Sequence, residues 1–253
     1  MLHENVMLGK GPVRVDPRTL KMVDYVSKLA PAPLVYDVPS ALGSTYNFGM
    51  MGNDKLGDCT IAGKGHTIQM WTFRAKGAMV TLPDSAIILD YEKFGYNPVD
   101  PNTDQGAVEL DVLNDWVKNP LAGHALKAFV SIHPHSAQQT MDAIYYFGAS
   151  YIGLALPLFA QNEDVWSVPR ILGSNGVPGS WGGHCVTLVA HNKIGPICIT
   201  WGKLKQMTWN FYFKYCDEAY ALLSTDWLNN SMLSPAGFDI NALEQDLTLV
   251  RAA

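Results

Sequence analysis

Two stretches of the 253-residue chain decide its fold: NDKLGDCT at residues 53–60 and GGHCVTLV at residues 182–189. In the first, Asp58 is a helix-capping residue type, and apolar residues at helical spacing continue from Cys59 to a glycine at position 77. This pattern predicts a helix that begins at Cys59. The second stretch predicts a strand that carries His184 near its start. The chain therefore places a thiol at a helix start and an imidazole on a distant strand.

A thiol and an imidazole in these positions suit a cysteine nucleophile. Unpaired N–H groups at a helix start lower the pKa of a thiol, and a neighbouring imidazole completes the ion pair that makes sulfur reactive. Each residue also has a structural interpretation. Cys59 could be a buried thiol in a core, and His184 a hydrogen-bonded group at a strand edge. Cys185, on the opposite strand face from His184, is expected to be a core thiol.

Composition excludes several classes of protein. Hydrophobic residues make up 48% of the chain and charged residues 16%, with a formal net charge of -5, which predicts a folded protein with a sizeable core. No Lys/Arg cluster with interleaved aromatics occurs, so we expect no nucleic-acid partner. The four cysteines lack C-x-x-C spacing, which favours free thiols over a disulfide framework. We expect no cofactor and no metal, because the histidine pair around Pro134 lacks a third ligand nearby.

The sequence also bears on location. No apolar run reaches the ~20 residues of a membrane span, and the first residues do not resemble a signal peptide. We therefore expect no membrane partner and a cytoplasmic or virion-associated protein. The sequence does not indicate an oligomeric state.

Periodicity and capping residues predict helices first and strands later. The predicted helices begin at Asp16-Pro17, at Cys59 (to Lys76), at Asp84, at Val108 (to Val117) and after Ser136 (closed by Gly148), and the predicted strands cover 150–156, 185–190, 197–201 and 207–213, with a short helix near 217–223. This segregation favours an α+β fold with two lobes. We expect an N-terminal extension over 1–45, a helical left lobe over about 46–148 and an antiparallel, strand-rich right lobe over about 149–253.

From residue 52 to residue 213 the chain resembles the papain-like (C1-type) cysteine peptidases. Asn53 lies six residues before Cys59, where that family has an oxyanion-hole glutamine, and Cys59 opens the long helix as the family's nucleophile does. His184 begins a strand in a pattern like the family's histidine motif. The Trp-Gly pair at 201–202 matches the family's Asn-Ser-Trp-Gly motif on the next strand. The resemblance implies a papain-like two-lobed fold with the active-site cleft between the lobes.

The resemblance also implies roles for residues. Cys59 would attack a carbonyl and His184 would hold and deliver the proton, while the Cys59 N–H and the Asn53 side chain would stabilise the oxyanion. Asn53 has an equally good interpretation as a turn residue. Trp201 would shield the histidine from water, and Gly183 and Trp181 would border the substrate cleft.

Three features depart from the family pattern. Ile199 takes the place of the asparagine that orients the histidine, and Thr200 could replace that asparagine only in a different strand register. Asp58 caps the helix, but its charge opposes a thiolate at Cys59. Residues 1–45 predict only one short helix, so we do not expect an inhibitory pro-segment.

The leading function is therefore a cysteine hydrolase that cleaves a peptide or related amide bond in a peptide or protein substrate. The alternative is a catalytically silent papain-like module, used for binding or as part of a phage or bacterial assembly, and the missing asparagine favours it. A transferase would use the same acyl-enzyme with an acceptor other than water.

Overall fold

The computed structural model describes residues 6–26, 30–43 and 45–228. Its helices are α1 (Val23–Val26), α2 (Cys59–Lys76), α3 (Asp84–Glu92), α4 (Glu109–Lys118), α5 (Ala137–Phe147) and α6 (Trp209–Tyr215). Its strands are β1 (Ala128–Ser131), β2 (Ser150–Leu156), β3 (Gly182–His191), β4 (Pro196–Thr200), β5 (Lys203–Gln206) and β6 (Cys216–Leu223).

The strands form one antiparallel sheet in the order β1-β6-β2-β3-β4-β5. Side chains alternate across it, so each face has its own core. Tyr151 and Cys185 pack with α2, α3 and α4 on one face, whereas Ile152, Val186 and Leu188 pack with α5 and α6 on the other. The predicted α+β class with two lobes is confirmed. Strand β1 and helix α5, which precede residue 149, also contribute to the core around Ile152, Val186 and Leu188.

Helix α2 is the central element, and its bounds match the prediction. It ends at Gly77, whose φ of 71° is the left-handed conformation of a helix C-cap and whose N–H bonds the Phe73 carbonyl. Residues from Cys59 to Thr72 are all buried, because the sheet covers one side of the helix and α3 and α4 cover the other. Thr187 on β3 donates to the Gly63 carbonyl at 2.8 Å. This bond fixes α2 against β3 and places Cys59 close to the start of that strand.

The last two secondary-structure elements predicted along the chain, at 207–213 and 217–223, are wrong. The predicted strand 207–213 is helix α6, whose Thr208 side chain accepts the Phe211 N–H and caps it. The predicted helix near 217–223 is strand β6, which pairs with β1 on one side and β2 on the other. Pairing on both edges outweighs the helical preference of this short segment. The short strand β1 was missed altogether.

The first helix is also shorter than predicted. Asp16 accepts the backbone N–H of Arg18, so these residues form a turn, and the helix begins only at Val23. None of the helices in the described part of the chain is long and apolar enough to cross a membrane. All four cysteines are buried as free thiols: Cys59, Cys185, Cys198 and Cys216.

Candidate active site

Cys59 lies at the first turn of α2, beside the strand that carries His184. Its Sγ accepts the backbone N–H of Cys185 at 3.4 Å, and the N–H of Gly9 also donates to the thiol. The side chain is buried, with 1% of its surface exposed. The helix start and β3 therefore meet at the sulfur, one residue from His184.

The predicted lowering of the Cys59 pKa is wrong for this state of the site. Burial raises the pKa of the thiol to about 12, which outweighs the opposing effect of the N–H groups of Cys185 and Gly9. Burial likewise lowers the pKa of His184 to about 3, with a smaller contribution from His66. The site therefore holds a neutral thiol and a neutral imidazole rather than an ion pair.

His184 is oriented by Thr200. The His184 Nε2 and the Thr200 Oγ1 lie 2.8 Å apart, and both residues are buried. The other ring nitrogen, Nδ1, is buried without a hydrogen-bond partner among the described residues. When Nε2–H donates to the hydroxyl oxygen, the lone pair is on Nδ1, which is the nitrogen available to accept a proton.

The expectation that Ile199 stands in the orienting position is wrong because of strand register. Thr187 on β3 pairs with Ile199 on β4, and strand alternation puts both on the face opposite His184. Ile199 packs instead into a small core with Val189. Thr200, one residue on, falls on the face of His184. The hydroxyl of Thr200 therefore bonds the imidazole that the family's asparagine would orient.

Trp201 covers the other side of His184. Its ring stacks on the imidazole with centroids 4.4 Å apart and an interplanar angle of 15°. Trp201 and Gly202 form the two-residue turn between β4 and β5, and their φ values of 46° and 72° are both positive. Tight hairpins need this geometry, which is unfavourable for a tryptophan. Trp181 lies 5.5 Å from Trp201, ring to ring, so the predicted cleft aromatics are brought together.

Asn53 belongs to the loop before the nucleophile rather than to an open oxyanion hole. Its side-chain Nδ2 donates to the Leu56 carbonyl at 2.9 Å, and the residue is 3% exposed. The next part of this loop is held by Asp104, whose carboxylate accepts the Gly57 N–H at 3.0 Å and the Tyr91 hydroxyl at 2.7 Å. The bond between Asp104 and Gly57 could not be predicted from the sequence, because nothing near either residue indicates a partner 47 residues away.

Asp58 is at the N-cap position of α2, but its side chain does not cap the helix. The residue is fully buried, and neither carboxyl oxygen has a hydrogen-bond partner among the described residues. Burial raises the pKa of the carboxyl to about 8, with weaker opposition from Asn53. At neutral pH the carboxyl is therefore mostly protonated. The expected charge conflict with a thiolate at Cys59 is correspondingly small.

A segment from the N-terminal extension lies across the site. This N-terminal strap (residues 6–12) bonds the helical side of the cleft through its backbone: the Met7 N–H donates to the Asn53 carbonyl at 3.0 Å. Ala107 donates to the Gly9 carbonyl and accepts the Gly11 N–H, both at 2.8 Å. The strap therefore pairs with residue 107 as a short parallel strand.

The same strap bonds the sheet side of the cleft. The Lys10 N–H donates to the Gly183 carbonyl at 3.1 Å, and the Trp201 Nε1 donates to the Met7 carbonyl at 3.3 Å. These contacts of residues 6–12 with both sides of the cleft were not predicted from the sequence, and an inhibitory role of residues 1–45 stays untested. A helix count could not reveal the strap, because the strap is extended and bonds through its backbone.

Solved structures with a similar fold are cysteine proteases. Xylellain, a cysteine protease from Xylella fastidiosa, matches with a TM-score of 0.53 and 12% identity over 87% of this chain and 97% of that chain. Digestive procathepsin L 3 of the Tenebrio molitor larval midgut matches with a TM-score of 0.57 and 13% identity, over 87% of this chain and 77% of that one. ProCathepsin B S9 from Trypanosoma congolense matches with a TM-score of 0.57 and 12% identity, over 88% of this chain and 88% of that one.

No protein-family model and no curated protein sequence matches the chain. At 12–13% identity, the likeness to these solved structures bears on the fold alone. The chain has a divergent papain-like fold.

Proposed function

We propose that the chain is a cysteine peptidase, or a hydrolase of a related amide bond, whose cleft is closed by the N-terminal strap. The observation that carries the proposal is the orientation of His184. Thr200 occupies Nε2 and leaves Nδ1 free, while the neighbouring thiol stands at a helix start. The lack of an orienting partner, which favoured a silent module, no longer applies. The similar solved structures named as cysteine proteases add support.

In the proposed reaction, the thiol proton moves to His184 Nδ1 and the Cys59 sulfur attacks the carbonyl carbon. The oxyanion that forms is stabilised by the Cys59 backbone N–H, which has no partner within the helix because it lies at the helix start. Expulsion of the amine, protonated by His184, leaves a thioester. Water then attacks the thioester carbon, the C–S bond breaks and the carboxylic acid product leaves. A proton from the water passes through His184 to the sulfur and restores the thiol. Thr200 positions His184 and does not touch the substrate.

The strap must leave the cleft before a substrate enters. The neutral thiol and imidazole therefore belong to the closed state of the cleft. In the closed state both groups are buried, and burial disfavours both the thiolate and the imidazolium, although the Gly9 N–H by itself favours the thiolate. Removal of the strap lets water and substrate reach the pair, which returns the two pKa values towards those of an ion pair.

The test uses the full chain carrying Gly9→Val and Lys10→Ala. A Cβ at residue 9 would overlap the Gly57 carbonyl, so this strap-displacing variant cannot keep the strap in place. We expect it to cleave an unfolded protein substrate at least about tenfold faster than the wild type, as detected by mass spectrometry of the products. Adding Cys59→Ala should abolish cleavage.

Gly173→Val is the matched control, because a Cβ at residue 173 meets no atom within 4 Å. It should leave the wild-type rate unchanged. A folded strap-displacing variant that cleaves nothing would contradict the peptidase proposal and favour the silent module.

A further inference from the structure

The Lys10 side chain of the strap enters a pocket lined by carboxylates. Its Nζ lies 3.0 Å from Glu218 Oε1 and 3.2 Å from Asp217 Oδ2, and it donates to the Gly11 carbonyl at 3.2 Å. The side chain of Lys10 is only 2% exposed. A fully buried third carboxylate, Glu109, contributes to the same field. We call Glu109, Asp217 and Glu218 the acidic pocket.

Lys10 faces more than one carboxyl group in the acidic pocket. Burial alone would lower the pKa of Lys10, but the three carboxylates outweigh burial and raise it above its ordinary value. Neither carboxyl oxygen of Glu109 has a hydrogen-bond partner among the described residues. Burial and the charge of Glu218 raise the pKa of Glu109 well above its ordinary value. In the closed state Glu109 is therefore favoured in its protonated form, and Asp217 and Glu218 form the ion pairs with Lys10.

The backbone around the pocket is shaped for a long side chain. Gly153 on β2 lies under the stem of Lys10, where a Cβ would overlap the lysine Cε. The register of β2 against β6 shifts just after Gly153, at the level where β6 presents Glu218. A cavity of about 380 Å³ adjoins the pocket, with Asp217 and Glu218 in its wall. The pocket therefore has space beyond the ammonium group of Lys10.

The path of the strap indicates that the pocket serves a side chain of a bound peptide. The strap reaches it as an extended chain, bonded through its backbone to Gly183 and Ala107 on the two sides of the cleft. Main-chain bonds of this kind hold any extended peptide, and pockets for its side chains then select the sequence. A metal is a poor alternative occupant: no group of three or more His, Cys, Asp or Glu side chains in the described ranges is arranged to hold one.

We propose that the acidic pocket is a specificity pocket of the cleft and accepts a lysine or arginine side chain of the substrate, with Lys10 of the strap occupying it in the closed state. That the bound peptide is a substrate rests on the proposed peptidase function. The binding preference does not: an extended peptide with a basic residue binds the cleft more tightly than the same peptide without one.

The test measures binding without turnover, in the full chain carrying Cys59→Ala, Gly9→Val and Lys10→Ala. The probes are two fluorescent peptides: Val-Met-Leu-Gly-Lys-Gly-Pro, which has the sequence of residues 6–12, and the same peptide with methionine in place of lysine. Fluorescence anisotropy should show at least about tenfold tighter binding of the lysine peptide, since a buried carboxylate pocket selects for the charge. Equal affinities, or no binding of either peptide, would overturn the proposal.

Pocket variants in the same background make the test specific. Asp217→Asn, at the part-exposed edge, and Glu218→Gln, in the interior, should each reduce the preference for lysine severalfold, and the first keeps the test valid if the second does not fold. Asp164→Asn removes an exposed carboxylate elsewhere and should change nothing. Undiminished preference in Asp217→Asn would also overturn the proposal.

The experiment separates the two proposals. A lysine preference in a chain that cleaves nothing would leave the pocket standing and remove the peptidase. Cleavage by the strap-displacing variant without any preference for basic residues would do the reverse.

Discussion

The N-terminal strap meets two regions of the cleft in opposite ways. At the reactive pair it brings only the Gly9 N–H, and the buried His184 Nδ1 and Asp58 carboxyl have no hydrogen-bond partner among the described residues. At the acidic pocket it brings a full charge, and Lys10 pairs with Asp217 and Glu218. The strap is thus held by ion pairs at Lys10, whereas at Gly9 it contacts the Cys59 thiol through a backbone N–H only. Closure and reactivity are separate properties of the cleft.

Reversal of the anchor charge should have the largest effect. Lys10→Glu adds a fourth acidic group to the pocket, and loss of a buried ion pair costs about 3–5 kcal/mol. We expect the strap to leave the cleft, so the amide hydrogens of Gly11 and Ala107, which the strap pairing protects, should exchange at the rate of an open loop. Hydrogen exchange followed by NMR measures this directly.

Lys193→Glu is the control for this experiment, since it makes the same charge change at an exposed lysine that does not line the cavity beside the acidic pocket. Retained protection of both amides in Lys10→Glu would show that the backbone bonds, and not the charge, hold the strap.

Asp58→Asn tests the other region, where a carboxyl is buried without a partner. The folded-state pKa of Asp58, about 8, is above its ordinary value of 3.8, so the folded chain retains a proton that the unfolded chain releases. The free energy of unfolding should therefore fall as pH rises from about 4 to about 8. Asp58→Asn removes this loss, and we expect it to stabilise the protein by about 1–3 kcal/mol at pH 8.

Urea denaturation of Asp58→Asn and wild type at pH 4, 6 and 8 checks the prediction. The difference in unfolding free energy should be small at pH 4 and grow with pH. A constant difference would mean that the carboxyl is ionised in the folded protein.

The smallest effect on stability is expected from Trp201→Asn. Asparagine suits a position with positive φ, which recovers about 1–2 kcal/mol of backbone strain, while loss of the stack on His184 costs about 0.5–1.5 kcal/mol. Loss of the bond to the Met7 carbonyl adds about 0.5–1.5 kcal/mol to the cost, so the net change in stability remains small. His184, however, loses its cover, so its pKa should rise from about 3 towards its ordinary value. An NMR titration of the imidazole measures the shift, and an unchanged pKa would show that other groups desolvate the ring.

The sequence was informative where local chemistry decides structure. Helix α2 could be predicted to its last residue because Asp58, a residue type common at helix starts, precedes Cys59 and a glycine follows Lys76, although the Asp58 side chain does not cap the helix. Helix α5 was predicted as well, because Ser136 accepts the Gln139 N–H at its start and Gly148 ends it. The papain-like fold followed from the order of the Cys59, His184 and Trp-Gly motifs. Cys59 lies beside the strand that carries His184, with its Sγ 3.4 Å from the Cys185 nitrogen, and their role as a catalytic pair stays a prediction.

Features that depend on tertiary pairing were not visible in the sequence. Strand β6 was predicted as a helix because its neighbours β1 and β2 are distant in sequence. The Thr200 bond depends on the register of β4 against β3, and the contact between the Gly9 N–H and the Cys59 thiol joins residues that lie 50 positions apart in the sequence. Lys10 carried no signal, because a single lysine between two glycines has no local motif.

The most direct test is the pH dependence of Cys59 alkylation by iodoacetamide, followed by mass spectrometry, in wild type and in the strap-displacing variant. If the strap keeps the pair neutral, wild-type Cys59 should react slowly and speed up only in strongly alkaline solution. The variant should react at least about 100-fold faster at pH 6.5, as a thiolate paired with His184 does, and His184→Ala should remove this gain. Equal rates and equal pH profiles in the two proteins would contradict the claim that the strap suppresses a reactive pair.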